Sequence, residues 1–121
     1  MGMTITEKIL AAHADKERVE PGEILDCRID LAMANDITAP LSLEEFEKVG
    51  AKAVFDPNKV VFVLDHFTPN KDILSAENCK RIREFSRKHG IVNFFEGGEC
   101  GIEHALLPEK GLVVAGDLAQ R

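Results

Sequence analysis

The stretch VVFVLDHFTPN at residues 60–70 places Asp65 and His66 directly after five apolar residues. An Asp beside a His can fix the tautomer of the imidazole or favour its protonated form, which gives a proton donor near neutral pH. Asp65 can instead hold a different partner, because adjacent residues at a strand end point in opposite directions. An Asp after a strand also commonly caps the next turn with its own side chain. Spacing alone favours a structural Asp65 and an incidental His66, with acid–base chemistry as the alternative.

A second polar segment, EGGECG at residues 96–101, follows another apolar run and leads to His104. It has neither the GxGxxG pattern nor the GxxxxGK[ST] pattern, so nucleotide binding is unsupported. Its glycines allow the backbone to pass close to a ligand or to another segment. Glu99, Glu103 and His104 are residue types that bind metals, but they lack a recognised ligand spacing, and no metal site is predicted. Taken alone, His104 favours an incidental role.

The elements that must position these residues can be predicted from caps and hydrophobic periodicity. Three helices are expected from capping patterns and glycine stops, at residues 4–13, from Ser42 to Gly50, and at residues 75–89 with Gly90 as the cap. Four strands are expected from alternating or continuous apolar runs, at residues 24–34, 60–64, 91–95 and 112–115. We expect Asn35 and Asp36 to end the first of these strands.

Alternation of strand and helix predicts an α/β/α sandwich with a mostly parallel sheet, folded as a single domain over residues 1–121. We expect Phe62 and Leu64 to be buried beneath the helix at residues 75–89. In such sheets ligands bind outside the carboxyl ends of the strands. Two neighbouring parallel strands would therefore deliver Asp65, His66 and His104 to one edge.

Composition excludes several classes of partner. The net charge of −6 argues against nucleic acid or an anionic membrane as the main partner. No apolar run approaches the roughly 20 residues of a membrane helix, and the acidic N-terminal segment is unlike a signal peptide. The cysteines Cys27, Cys79 and Cys100 are odd in number and contain no CxxC pair. They favour a reducing compartment, and we expect a cytoplasmic protein.

A different class also fits the length, namely a non-catalytic α/β binding or regulatory domain. Its most concrete form is a phosphorelay receiver, which accepts phosphate on an Asp at the end of a central strand. Asp65 matches that position. However, no pair of acids follows the first predicted strand to hold Mg²⁺, since Asp36 stands beside Asn35, and no Lys is suitably placed after a late strand.

Four stretches together resemble the N-terminal part of the large subunit of 3-isopropylmalate dehydratase, in the aconitase superfamily. They are MGMTITEKILAAHA at the start, AMANDITAPL at 32–41, VVFVLDHFTPNKD at 60–72 and GIEHALLPEKGLVVAGDL at 101–118. They occur in the family's order over nearly the whole chain. The resemblance implies that the fold is part of the first aconitase-type domain.

The resemblance also implies a hydro-lyase that interconverts 2-isopropylmalate and 3-isopropylmalate in leucine biosynthesis. In that family a [4Fe-4S] cluster acts as a Lewis acid on the leaving hydroxyl. By position, Asp65 and His66 match the pair that helps to protonate the hydroxyl, and His104 matches a partner in the same acid network. Asn35 and Asp36 match a substrate-proximal segment, in which Asn35 could donate to a carboxylate.

The chain also departs from the family. Family members are several times longer, and their cluster-binding cysteines, catalytic serine and substrate-binding arginines lie in later segments. Cys27, Cys79 and Cys100 do not match the cluster ligands. We therefore expect an N-terminal fragment that binds no cluster and is inactive alone. The implied partners are the remaining large-subunit chain and a small subunit.

Overall fold

A computed structural model describes residues 2–120 and builds them around one parallel sheet. In chain order the elements are α1 (Ile5–His13), β1 (Leu31–Asn35), α2 (Ala39–Lys48), β2 (Val60–Val63), α3 (Ile73–His89), β3 (Asn93–Phe95), α4 (Glu103–Glu109) and β4 (Ala119–Gln120). The strand order is β3-β2-β1-β4, and every pairing is parallel. Helices α2 and α3 pack on one face and α4 on the other, which confirms the predicted α/β/α sandwich.

Strand β2 is the centre of the core, and all four of its residues are buried. Because side chains alternate along a strand, Phe62 and then Leu64 face α2 and α3, while Val61 and Val63 face α4. The Phe62 ring meets Phe85 of α3 edge-to-face, with centroids 6.0 Å apart. The predicted burial of Phe62 and Leu64 beneath this helix is confirmed.

Local capping explains where two helices begin and end. The Thr4 hydroxyl accepts from the backbone N–H of Glu7, whose carboxylate accepts from the backbone of Thr4, so the predicted capping box of α1 is present. Asp72 caps α3 through the backbone N–H of Ser75, so the helix begins at Ile73, two residues earlier than predicted. Gly90 ends α3 in the left-handed region at φ 66°.

The helices after β2 and β3 lie on opposite faces of the sheet. Strand β2 leads into α3, whereas the neighbouring strand β3 leads into α4 on the other face. Such a reversal opens a crevice at the carboxyl ends of the two strands, and it is where open α/β sheets bind ligands. Asp65 and the loop at residues 96–101 border this crevice.

The strand predicted at residues 24–34 is wrong in its extent. Only Leu31–Asn35 is a strand, and Ile24 is 96% exposed. Pairing explains the difference, since β2 offers partners only from the level of Ala32 onward. Asn35 is the last residue of the strand instead of its terminator.

Two further element predictions need correction. Helix α2 begins at Ala39 and not at the predicted Ser42, because Pro40 suits the first helical turn. Ser42 lies inside the helix, where its hydroxyl donates to the carbonyl of Thr38. Residues 112–115 are not a strand; they lie between Gly111 and Gly116, both at positive φ, and Leu112 and Val113 pack as loop residues against the sheet. Helix α4 and strand β4 were not predicted.

Within residues 2–120, no helix is both long enough and apolar enough to cross a bilayer.

Candidate active site

Asp65 follows β2 directly, and both of its carboxylate oxygens have partners. Oδ1 lies 2.5 Å from Nδ1 of His66, and Oδ2 accepts from the backbone N–H of Glu103 at 2.8 Å. The side chain is only 5% exposed, whereas that of His66 is 41% exposed. One carboxylate therefore contacts the imidazole and also holds a second partner at the start of α4, and its role in acid–base chemistry stays a prediction.

The contact with Asp65 distinguishes the two nitrogens of the His66 ring. A carboxylate only accepts hydrogen bonds, so Nδ1 carries a proton in this arrangement. Nε2 is the ring nitrogen that Asp65 does not engage. A ring held in this way can donate from Nε2 when doubly protonated and accept there when neutral.

Asp36 anchors the loop that carries His66. Its fully buried carboxylate accepts from two consecutive backbone N–H groups, those of His66 at 3.1 Å and of Phe67 at 2.6 Å. Its Oδ1 also lies 3.8 Å from Nδ1 of His66. Asp36 thus joins the end of β1 to the segment after β2, and its predicted role in substrate binding stays a prediction.

Asn35 is fully buried at the end of β1, and it organises the turn that follows. Its Oδ1 accepts from the backbone N–H groups of Ile37 and Thr38, both at 3.0 Å. Its Nδ2 donates to Oε1 of Glu103 at 3.2 Å. In this structure its amide contacts the protein, and direct binding of a carboxylate stays a prediction.

Glu103 begins α4, and its side chain is 1% exposed. Its Oε1 lies 3.5 Å from Nε2 of His104, whose side chain is 67% exposed. His104 therefore joins the network of Asp65 and Asn35 through Glu103. Sequence reasoning considered Glu103 only as a metal ligand and missed this position, because α4 was not predicted.

The glycine loop between β3 and α4 is fastened on two sides. Arg83 of α3 donates from Nε and Nη2 to Oε2 of Glu96 at 2.9 and 2.5 Å, and this pairing raises the pKa of the guanidinium. Cys100 donates from its thiol to the carbonyl of Leu64 at 3.4 Å. These contacts hold the loop beside the end of β2.

The cysteines do not fit an iron–sulfur cluster. Cys27 precedes β1, Cys79 is buried in α3, and Cys100 lies half-buried in the glycine loop. Burial raises the pKa of the Cys79 and Cys100 thiols, which disfavours the thiolate that a metal requires.

One group of metal-ligand residue types does come together in the described part of the chain. Ligand atoms of Asp36, Asp65 and His66 lie within 4.8 Å of one another. Their oxygens, however, already accept from His66 and from three backbone N–H groups. We interpret the group as a hydrogen-bond network.

Comparison with known proteins identifies relatives over nearly the whole chain. No family model matches the chain. Curated proteins named 3-isopropylmalate dehydratase large subunit are 62% identical over 118 residues in Endomicrobium trichonymphae, 62% in Moorella thermoacetica and 60% in Thermodesulfovibrio yellowstonii. Each match covers 98% of this chain and 28% of the relative. The predicted resemblance is confirmed, and the chain spans about 28% of the length of these relatives.

The receiver alternative has no support from these comparisons. The geometry of Asp65 agrees, because a phosphate acceptor needs an accessible carboxylate oxygen. Here the side chain is buried, and both oxygens are engaged by His66 and by the backbone of Glu103.

Proposed function

We propose that this chain is part of the large subunit of a 3-isopropylmalate dehydratase, a lyase of leucine biosynthesis. The enzyme would interconvert 2-isopropylmalate and 3-isopropylmalate by removing and restoring water. The observation that carries the proposal is the 62% identity over 118 residues to the large subunit of Endomicrobium trichonymphae. The 121 residues would form one α/β domain within a longer chain.

The geometry at the end of β2 supports His66 as the acid that dehydration needs. A hydroxyl leaves more readily when it receives a proton, and an imidazolium is a suitable donor near neutral pH. Asp65, 2.5 Å from Nδ1, would stabilise the positive charge of His66, and Nε2 would face the substrate. In the reverse direction the neutral ring would accept the proton. His104 and the substrate-proximal residues Asn35 and Asp36 complete the proposed site.

Exposed apolar side chains around the carboxyl edge support a location inside a larger assembly. Leu41 lies in the first turn of α2, Ile73 and Leu74 open α3, and Ile102 precedes α4. All four are exposed, and they lie in the segments that follow the carboxyl ends of the strands. We propose that the remaining large-subunit chain and a small subunit cover this edge. We propose that the residues that bind the [4Fe-4S] cluster belong to the remaining large-subunit chain. The free cysteines of this chain support a location in the reducing cytoplasm.

A segment exchange tests the proposal. The matching segment of the Endomicrobium trichonymphae large subunit is replaced by this chain, and the hybrid is assembled with the small subunit of the same enzyme. We expect isomerisation of 2-isopropylmalate at a rate comparable to the parent enzyme. The control carries the parent's own segment with the same junctions. A hybrid that folds and assembles like this control but does not isomerise the substrate would overturn the proposal.

A further inference from the structure

Glu103 is the residue through which three of the candidate groups meet. Its carboxylate lies 3.2 Å from Nδ2 of Asn35 and 3.5 Å from Nε2 of His104, and its backbone N–H donates to Asp65 at 2.8 Å. These partners come from the end of β1, the end of β2 and α4 itself. A single residue thus connects the carboxyl ends of two adjacent strands.

Packing alone does not explain an acid at this position. Its helix neighbours Leu106 and Leu107 are buried in the apolar cluster beneath β2. Burying a carboxylate is costly unless hydrogen bonds or an opposite charge compensate, and an apolar side chain of similar size is often tolerated at least as well. The partners described above, an amide and an imidazole, both belong to the proposed site. This pattern is typical of a group retained to orient other groups.

We propose that Glu103 is a positioning residue of the dehydratase, which holds the Asn35 amide and the His104 imidazole in the orientation that the substrate meets. The inference rests on the proposed function. It assigns to Glu103 no contact with the substrate. Both neighbours lie beside the same oxygen, Oε1, and the negative charge matters in this proposal because it attracts the Asn35 amide and the His104 imidazole more strongly than a neutral amide oxygen would.

Kinetics of Glu103→Gln in the hybrid enzyme test the proposal. Loss of a group that orients a site residue commonly lowers activity by about 10–100-fold, and we expect kcat/KM to fall within this range, mainly through kcat. The matched control is Glu109→Gln, an exposed acid on the same helix, which should leave kcat and KM unchanged. If Glu103→Gln does not fold, Glu103→Met replaces it, since an unbranched apolar side chain fills the same space. Normal kcat in a folded variant would overturn the inference.

A second readout is independent of activity. In the 121-residue chain, the side-chain amide of Asn35 gives its own nitrogen–proton NMR signals, and these report the hydrogen bond to Glu103. We expect Glu103→Gln to shift them and Glu109→Gln to leave them in place. Unchanged Asn35 signals would overturn the inference even if the hybrid is active. An inactive unsubstituted hybrid with shifted Asn35 signals would instead contradict the proposed function and support the contact.

Discussion

An imidazole whose Nδ1 is held by a buried carboxylate has one nitrogen left for a substrate, and this makes His66 the residue to change first. In the hybrid enzyme we expect His66→Ala to lower kcat by about 10²–10⁴-fold, the usual contribution of a general acid, with a smaller effect on KM. Asp65→Asn should act similarly, because it removes the charge that stabilises the imidazolium. The two losses should be non-additive, since both residues serve one proton transfer. Steady-state kinetics of the single and double variants measure this.

The same variants also distinguish catalysis from a structural role. If Asp65 and His66 only cap the turn, the variants should melt at lower temperature and keep normal turnover per folded molecule. Asp56→Asn is a matched control at the opposite end of β2, where the Asp56 carboxylate accepts hydrogen bonds from nearby Asn58. It should leave turnover unchanged.

At this scale the sequence is informative about some residues and silent about others. Asp65 and His66 are noticeable because they end a long apolar run, but spacing alone favours structural or incidental roles; the family resemblance is what implies acid–base chemistry, and that role stays a prediction. The position of Glu103 could not be predicted, because α4 has only seven residues and contains Pro108. Its apolar pattern is therefore too short to be recognised as a helix. The burial of Asn35 likewise depends on a contact with a residue 68 positions away.

His13 at the end of helix α1 has an acceptor beside each of its ring nitrogens, and one of these acceptors is Asp30, the residue before β1. Nδ1 of His13 lies 2.7 Å from the carbonyl oxygen of Ile9, and Nε2 lies 2.6 Å from Oδ2 of Asp30. Both neighbours are acceptors, so the contact favours the imidazolium. The pKa of His13 is raised by the Ile9 carbonyl and then by Asp30, against smaller opposing effects of desolvation and of Arg28. The pKa of Asp30 is lowered by the backbone N–H of Leu118 and then by His13.

These shifts predict a dependence of stability on pH with a definite sign. The contribution of His13 is fully present below about pH 6.5 and is lost as pH rises through its raised folded pKa. The contribution of Asp30 is present above about pH 3.9 and is lost as pH falls through its lowered folded pKa. Urea midpoints should therefore drop from pH 5.5 to pH 8.5, and His13→Gln should reduce this drop. An equal drop in both proteins would contradict the role of His13.

The packing of α3 on β2 predicts the cost of removing one aromatic ring. Phe85 is buried, and its ring meets Phe62 and Phe46 edge-to-face. We expect Phe85→Ala to lower the free energy of unfolding by about 3–5 kcal/mol in denaturant melts. Leu74→Ala, at an exposed position of the same helix, should have a much smaller effect. A loss below about 1 kcal/mol for Phe85→Ala would mean that this face of α3 is not packed on the sheet.

Elements could be predicted where local chemistry decides them, and not where pairing decides them. The caps at Thr4 and Gly90 are local, and both were identified from the sequence. Apolar residues 112–115 satisfy a strand pattern but pair with no strand among the described residues, whereas the exposed pair Ala119–Gln120 lies next to Leu31 and Ala32 and becomes β4. Sequence periodicity reports which residues avoid water, and it does not report which neighbour accepts their backbone hydrogen bonds.

At the scale of the whole molecule, we expect the 121-residue chain to bind no [4Fe-4S] cluster by itself. Its cysteines lie on separate segments, and burial disfavours the thiolate at Cys79 and Cys100. Anaerobic reconstitution with iron and sulfide, followed by iron analysis and visible absorbance, measures this. Brown protein with about four irons per chain would contradict the expectation. The assembled hybrid, treated in the same way, is the positive control.

The overall class could be predicted because alternating strands and helices leave few arrangements for a sheet. The change of face between the helices that follow β2 and β3 could not be predicted, since it depends on α4 packing on the opposite face of the sheet from α3. The carboxyl ends of β2 and β3 lie side by side because the two strands are adjacent and parallel, and the reversal opens the crevice between them, where Asp65 contacts Glu103.

Asp36 grips the main chain of the segment after β2, and this has a consequence for how the protein tolerates sequence drift. Its two oxygens accept from the backbone N–H groups of His66 and Phe67, which every amino acid except proline supplies. The grip therefore does not depend on the side chains it holds. The side chain at position 66 can therefore change while these two hydrogen bonds persist. Proline at position 66 or 67, or loss of Asp36, would remove them. Because the backbone contacts of Asp36 are independent of the side chain at position 66, a single substitution there can change the chemistry while the fold is kept.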